Sequence, residues 1–411
     1  MPKLEDVVIH MQQNFSEINF LFSKSEKLED IRNISSDEVF SDYSITLLSN
    51  LSVELYKIPQ IRKFPDLATF AFYCRKANLL LLKKKYESSD FRIGRGVVFH
   101  IAPSNVPVNF AYSMVVGLLS GSINIVRVPS KNFEQVAIII DTLNKVKNTL
   151  KLTDLENKLF IVKYEKTSNA THFFSSLCDV RIIWGGDQTI DLVRESKISP
   201  RSFDVTFSDR YSFSIINAYN IIIEKNIDKV ADNFFNDTYL FDQNACSAPK
   251  IVIWIGDLET IDSAKNIFWT AVQKRIEVYE FSPILAVDKI SSLYYQSTLG
   301  IPLSKIESNN NKLWRIETPM LHPELENYTC AGGYFLEYNA KSIEEISHFV
   351  TRKFQTMGYF GFEKENLKFV LKKLKLLGID RVVPFGKTTD FDLVWDGYDL
   401  IYTLSRECVV I

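Results

Sequence analysis

A cysteine at the mouth of a strand is the first place in this chain where chemistry could occur. In FDQNACSAPKIVIW, Phe241 to Trp254, Cys246 follows Gln243 and Asn244 and precedes Ser247, Ala248 and Pro249, ahead of a β-branched run. A reactive thiolate needs donors around it and an open approach, and small neighbours leave room for an electrophilic carbonyl at the sulfur. The same residue also reads as a small buried hydrophobe, the usual state of a free cysteine. No partner base is evident, although the five histidines leave one open.

Two further groupings could assist such a nucleophile. In HIAPSNVPVNF, His100 to Phe110, Asn105 stands between two prolines directly after an apolar run. Held rigid there, its side-chain N–H could meet a developing oxyanion, an interaction worth about 3 kcal/mol. It could equally cap the helix that follows. In WGGDQTI, Trp184 to Ile190, Gly185 and Gly186 join a strand to a helix, a turn that can admit a pyrophosphate at a helix N-terminus. A plain tight turn has the same letters.

The elements that must position these residues read as follows. The first ninety or so residues look mainly helical, with apolar positions at three- and four-residue spacing. Strands are then expected at Gly96 to Pro103, Ile123 to Pro129, Lys158 to Tyr164 and Val180 to Gly186. Helices are expected at Val108 to Ser120 and Gln135 to Leu150, with Asp187 capping the helix that begins at Gln188. Strands alternating with helices imply parallel βαβ units. A second set starts near Asn236, with a strand at Lys250 to Ile255, a helix at Thr260 to Val278 and a loop at SNNNKLW, Ser308 to Trp314. The final LIYTLSRECVVI reads as a strand that a partner chain's sheet edge could accept.

Composition narrows the class. The 411 residues are 46% hydrophobic and 24% charged with a net charge of −2, which suits a soluble chain of two domains and gives no footprint for nucleic acid. The run Lys83-Lys84-Lys85 reads as solvated helix face. Five scattered cysteines with no C-x-x-C pair suggest neither a disulfide framework nor a zinc site, and a reduced, cytoplasmic setting is expected. The N-terminus lacks the features of a signal peptide. No charge occurs between His100 and Arg127, yet the helix there would reach only ~20 Å, too short for a ~30 Å hydrocarbon core.

Taken in order, these motifs resemble the aldehyde dehydrogenase superfamily. PSNVP followed by GSINIVRVPS is similar to its P-W-N-F-P … G-N-x-V-V-x-K-P-S pattern, and WGGD falls where F-T-G-S is expected. DQNACSAP occupies the place of the catalytic cysteine, LENYTCAGGYFLEYNAKSIEEI that of E-E-I-F-G-P, and VVPFGK that of P-F-G-G-x-K. The resemblance runs from about Gly94 to the C-terminus. Within the superfamily the chain looks like the long-chain fatty acyl-CoA reductase family of bacterial luciferase operons and its non-luminous relatives.

That resemblance implies an α/β fold with a Rossmann-like cofactor domain, an α/β catalytic domain and an oligomerisation strand. The expected boundaries are 1–235, 236–390 and 391–411. It implies Cys246 as the nucleophile that takes the acyl group, with Asn105 and the backbone N–H of Cys246 as the oxyanion hole. Arg127 would meet the adenosine ribose, Gly185 and Gly186 the phosphates, and Glu326 and Tyr328 the nicotinamide ribose. The glutamate of E-L-G-G, which activates water in oxidising members, has no counterpart in FSDR, Phe207 to Arg210. Its loss favours reduction of a thioester to an aldehyde, and an acid placed at Phe207 should favour hydrolysis. Ser130 and Lys131 follow the second strand with no acid among them, which points to NADPH, since NAD enzymes often set an acid on the ribose. Asp187 and Asp191 depart from the small residues expected near the phosphates. Acyl-CoA or an acyl-protein donor, an acyl-protein synthetase partner and a homo-oligomer are the partners implied. A cysteine acyltransferase without nicotinamide, or a non-catalytic scaffold that binds an acyl-carrying partner, are the alternatives.

Overall fold

The structure, a computed structural model, describes residues 17–87, 91–103, 106–328 and 330–410. The chain divides into two compact units, Met1–Ser208 with Tyr398–Ile411, and Asp209–Gly397.

The first unit holds strands β1 (Asn19–Phe22), β2 (Arg92–Gly94), β3 (Val97–Ile101), β4 (Ile123–Arg127), β5 (Leu159–Lys163), β6 (Val180–Trp184) and β7 (Phe203–Phe207). Its main sheet has the order β1-β5-β4-β3-β6-β7, parallel throughout except for the antiparallel edge strand β1. Every residue of β3, β4 and β6 is buried. That is why these strands read as largely apolar runs, with His100, Asn124, Arg127 and Arg181 as buried polar exceptions: a parallel sheet is covered on both faces. The uncharged segment after β3 forms the buried helix Asn109–Leu119, and Glu134–Leu150 follows β4. Among the described residues no helix is long and apolar enough to cross a membrane.

The N-terminal region is mainly helical, as expected, and also supplies β1, which pairs with β5. Two expectations for this unit are corrected. The cap of the helix after β6 is Gly186, and Asp187 is the first helical residue (helix Asp187–Arg194), an acidic side chain in the first turn. The C-terminal run is first a short helix, Leu400–Leu404, because the Asp399 carboxylate accepts from the Tyr402 N–H. Only Ser405–Glu407 is a strand, and it pairs antiparallel with β2 of its own chain, where Arg92 reaches the Ser405 hydroxyl at 3.0 Å and Glu407 at 3.2 Å.

The second unit holds β8 (Tyr211–Asn217), β9 (Ile251–Ile255), β10 (Lys305–Asn310), β11 (Leu313–Glu317), β12 (Tyr334–Ala340), β13 (Phe354–Phe360) and β14 (Arg381–Pro384), in the order β10-β11-β12-β9-β8-β13-β14. Only the β10–β11 pair is antiparallel. The polar stretch SNNNKLW is therefore a hairpin and not a loop. The Asn310 side chain accepts from the Lys312 and Leu313 N–H groups to make its turn, and polar residues suit the edge strand β10. Residues 209–235, grouped from sequence with the first domain, lie in this unit, since β8 joins its sheet and Val230, Ala231 and Phe234 pack with Trp254, Phe268 and Trp269. A buried carboxylate, Glu337 of β12, sits within that core and is satisfied by Trp254 and Trp269 at 2.8 Å and Arg315 at 2.9 Å.

Candidate active site

In the first unit a cavity of about 270 Å³ opens at the carboxyl ends of β3, β4 and β6. Chain order reverses between β3 and β6, and in open α/β sheets ligands bind at such a switch point. Arg127 and Ser130 come from the end of β4, Gly185 and Gly186 from the turn after β6, and Lys166 from the segment after β5. Arg127 and Lys166 are the charged residues of the lining, which holds no acid. Lys131 is exposed and is not part of it.

The Arg127 side chain is nearly buried, lies 4.6 Å over the Tyr164 ring, and gives one terminal nitrogen to Ser130 and the Tyr164 carbonyl at 3.4 and 3.3 Å. Its Nε has no partner among the described residues. A buried donor left over in a cationic cavity is what an anionic ligand would complete. At Gly185 a Cβ would come within 3.0 Å of Thr189, so the turn stays tight because that residue is glycine. The residues present therefore fit the phosphates and ribose of a dinucleotide.

The floor is fixed by a buried chain of hydrogen bonds. The Trp184 indole N–H donates to Ser113 at 3.0 Å, and His100 links Ser113 at 2.7 Å to Asn124 at 2.9 Å. Burial drives the His100 pKa down to about 4, so its imidazole is neutral and structural, not a base for catalysis. Phe207, at the place where the resemblance puts the missing glutamate, stacks on Trp184 with ring centroids 3.7 Å apart.

In the second unit Cys246 lies on a turn just before β9, closed by the Ala248 N–H to the Ala245 carbonyl at 2.9 Å. Of the five cysteines Cys246 alone is exposed, while Cys74, Cys178 and Cys330 are buried. The turn is pinned from several sides. Ser212 of β8 donates to the Cys246 carbonyl at 2.7 Å and accepts from the Thr356 N–H at 3.1 Å. Gln243, in the left-handed region, spends its whole amide on backbone: it donates to Pro249 and Tyr334 at 2.9 and 3.0 Å and accepts from Gly333 and Tyr334 at 3.0 and 3.1 Å. It frames the cysteine by anchoring the loop and offers nothing to the sulfur.

The amide that does reach the sulfur is Gln355 of β13, whose Nε2 lies 3.5 Å from Cys246 Sγ and also donates to Asp396. Lys250 donates to the carbonyls of Gln243 and of Cys330, the latter at 3.3 Å. Although the residue is exposed at its surface, protein crowds the thiol. That desolvation, then the charge of Asp396, pushes the Cys246 pKa up, while Gln355 and the backbone N–H groups of Cys246 and Ser247 pull it down. Burial lowers Lys250 to about 8.

The other expected site residues are distributed as follows. Glu326, on the turn Pro323–Asn327, accepts from the Thr351 hydroxyl, and the Tyr328 ring lies 6.1 Å from Tyr295. Asn105 lies outside the described residues. The structure thus gathers Arg127, Ser130, Gly185 and Gly186 around one cavity, and gives Cys246 a setting of its own. Sequence reasoning missed Lys166, Gln355 and Asp396. Gln355 did leave a trace, as a polar residue in the buried part of a largely apolar strand.

The acyl-CoA reductase (LuxC) family model matches residues 76–407. The chain belongs to that family. Long-chain acyl-protein thioester reductases of Aliivibrio fischeri and Vibrio harveyi are 22% and 20% identical to it over 304 and 308 residues. Those matches cover 72% of this chain, which spans about 60% of the length of each relative. Among solved structures, a NAD-dependent benzaldehyde dehydrogenase from Corynebacterium glutamicum superposes with a TM-score of 0.63 at 12% identity, over 98% of this chain and 89% of that one. A glyceraldehyde-3-phosphate dehydrogenase from Methanocaldococcus jannaschii complexed with NADP gives 0.62 at 10%, over 98% and 93%. The family member described here therefore has the aldehyde dehydrogenase fold.

Proposed function

We propose that this protein reduces an acyl thioester to an aldehyde, with Cys246 carrying the acyl group between the two steps. The observation that supports this reading is the exposed Cys246 on a pinned turn with an amide N–H at its sulfur, in a chain of the acyl-CoA reductase family. Cys246 attacks the thioester carbonyl; the new carbon–sulfur bond forms as the bond to the donor thiol breaks, and the cysteine proton leaves with the donor thiolate. Asn105 and the Cys246 backbone N–H hold the carbonyl oxygen while it carries charge.

NADPH, when bound, supplies the hydride that reduces the acyl carbon. Arg127, Ser130, Gly185 and Gly186 would hold its phosphates and adenosine ribose, with Lys166 as the nearby cation, and Glu326 and Tyr328 would hold the nicotinamide ribose. A lining with cations and no acid supports the 2′-phosphorylated cofactor. Cys246 then departs as a thiolate from the reduced carbon and takes a proton from water. One thioester, one hydride and one proton give one aldehyde and one free thiol.

The substrate proposed is a long-chain acyl group on CoA or on an acyl-protein, since the relatives' names specify acyl-protein thioesters. An acyl-protein synthetase partner, a cytoplasmic setting and a homo-oligomer go with that reading. The test is incubation with a long-chain acyl-CoA without cofactor, followed by peptide mass spectrometry. Acylation should fall on Cys246, and Cys246→Ala should lose acylation and aldehyde formation while still binding NADPH. Acylation at Cys178 or Cys330 would overturn the assignment, and an acylated enzyme that binds no NADPH would be a transferase.

A further inference from the structure

We propose that Gln355 is a catalytic residue that stabilises negative charge on Cys246 Sγ, and that Asp396 positions it by fixing which face of its amide meets the sulfur. This inference rests on the reading of Cys246 as the acyl-carrying nucleophile. It is carried by one amide that reaches two groups: Gln355 Nε2 lies 3.5 Å from Cys246 Sγ and 2.5 Å from Asp396 Oδ1.

An amide can be turned end for end, so a partner must decide its orientation. A carboxylate accepts and does not donate, so Asp396 can be satisfied only by the nitrogen of Gln355. The carbonyl end then faces the Thr356 hydroxyl, which donates to Gln355 Oε1 at 3.3 Å. With the orientation set from both ends, the second N–H has the sulfur as its acceptor. Gln355 is fully buried on β13, so the donor is held by the sheet and not by a mobile side chain.

The groups that set the charge around this sulfur come from every neighbouring element. Asp396 faces it from the loop before Gly397 and opposes a thiolate, while Lys250 beside β9 and Arg381 of β14 act on it as cations. Arg210 and Asp380 act on Asp396 in turn, and burial raises the Asp396 pKa. Asp396 therefore has two opposed effects on Cys246. Its charge disfavours the thiolate, and its hold on Gln355 provides the donor that favours it. Lys250 donates to the Gln243 and Cys330 carbonyls and Arg381 to those of Lys387, Thr388 and Asp390, so their hydrogen bonds are spent elsewhere than on orienting Gln355.

The test measures alkylation of Cys246 by iodoacetamide against pH, read at the Cys246 peptide by mass spectrometry. Gln355→Met keeps the volume and removes the donor. Its alkylation midpoint should rise by about one pH unit, as expected for a hydrogen bond to a charged acceptor. Asp396→Asn should lower the midpoint by more in the Gln355→Met background than in the wild type, where the freed amide also loses its orientation. Equal shifts in both backgrounds, or a midpoint unmoved by Gln355→Met, would overturn the proposal. Should Gln355→Met not fold, Gln355→Asn, which keeps an amide but draws it back from the sulfur, should raise the midpoint in its place, and an unmoved midpoint there would likewise overturn the proposal. Wild-type protein that is never acylated at Cys246 would instead remove the underlying reading.

Discussion

Asp237 should make the stability of this protein depend on pH in an unusual direction. Its side chain is 1% exposed and accepts the Gly386 N–H at 2.7 Å and the Thr388 N–H at 2.9 Å, so it holds the PFGK turn that follows β14. Burial raises its pKa from 3.8 to about 6, against the pull of those two N–H groups. The folded state therefore binds the proton more tightly than the unfolded chain, the reverse of a salt-bridged aspartate. Stability from this group is greatest below the unfolded pKa, falls as pH rises between about 4 and 6, and is lowest above that. A shift of roughly two units corresponds to about 3 kcal/mol across the window. Asp237→Asn has no such titration, though it loses one acceptor. Urea unfolding from pH 4 to pH 7 should show wild type losing about 3 kcal/mol relative to Asp237→Asn. Parallel pH profiles for the two proteins would refute the reasoning, because they would mean that the carboxyl does not titrate abnormally.

Other outcomes follow from the two sites. Arg127→Met should weaken NADPH by about 10- to 100-fold in a fluorescence titration, the scale of one charge-assisted hydrogen bond, with little change in folding because its protein contacts are long. Lys166→Met should weaken NADPH more than NADH, whereas Lys131→Met should leave that ratio nearly unchanged, because Lys166 and not Lys131 lines the cavity. Acyl-CoA without cofactor should release about one CoA per Cys246 and then slow by 100-fold or more, since no general base stands at Phe207. Phe207→Glu should lower the melting temperature without restoring hydrolysis, because the side chain is buried against Trp184.

How far the sequence showed these sites depends on where the positioning force comes from. β3, β4 and β6 were legible because each is a largely apolar run followed by proline or glycine, and a strand covered on both faces tends to look that way. Cys246 stood out in the sequence because the residues beside it are small, and in the structure it lies exposed on its turn. Gln355 was not legible, since its amide acquires its role from partners at 246 and 396 that no spacing rule brings together. Lys166 was missed for the same reason: it follows β5, but only the sheet order β5-β4-β3 sets that strand beside the one that ends in Arg127. Gln243 shows the opposite case: it precedes the cysteine in the sequence, but four backbone hydrogen bonds engage its amide.

The environment of Cys246 also bears on why a reductase would keep its thiol protonated between turnovers. Desolvation and Asp396 disfavour a resting thiolate, while the Gln355 N–H and the backbone N–H groups favour charge on the sulfur. Charge develops there twice in the proposed cycle, at attack on the thioester and at departure from the reduced carbon, and donors already in place serve both moments without reorganising. At rest the balance falls to the thiol, which is inert towards oxidants and stray electrophiles compared with a thiolate. A thiol also carries the proton that the departing donor thiolate needs, so acylation requires no separate acid. The proton consumed in each turnover is then taken up last, by Cys246 itself. A single residue can in this way act as nucleophile, leaving group and proton carrier, provided that the donor at its sulfur keeps one orientation.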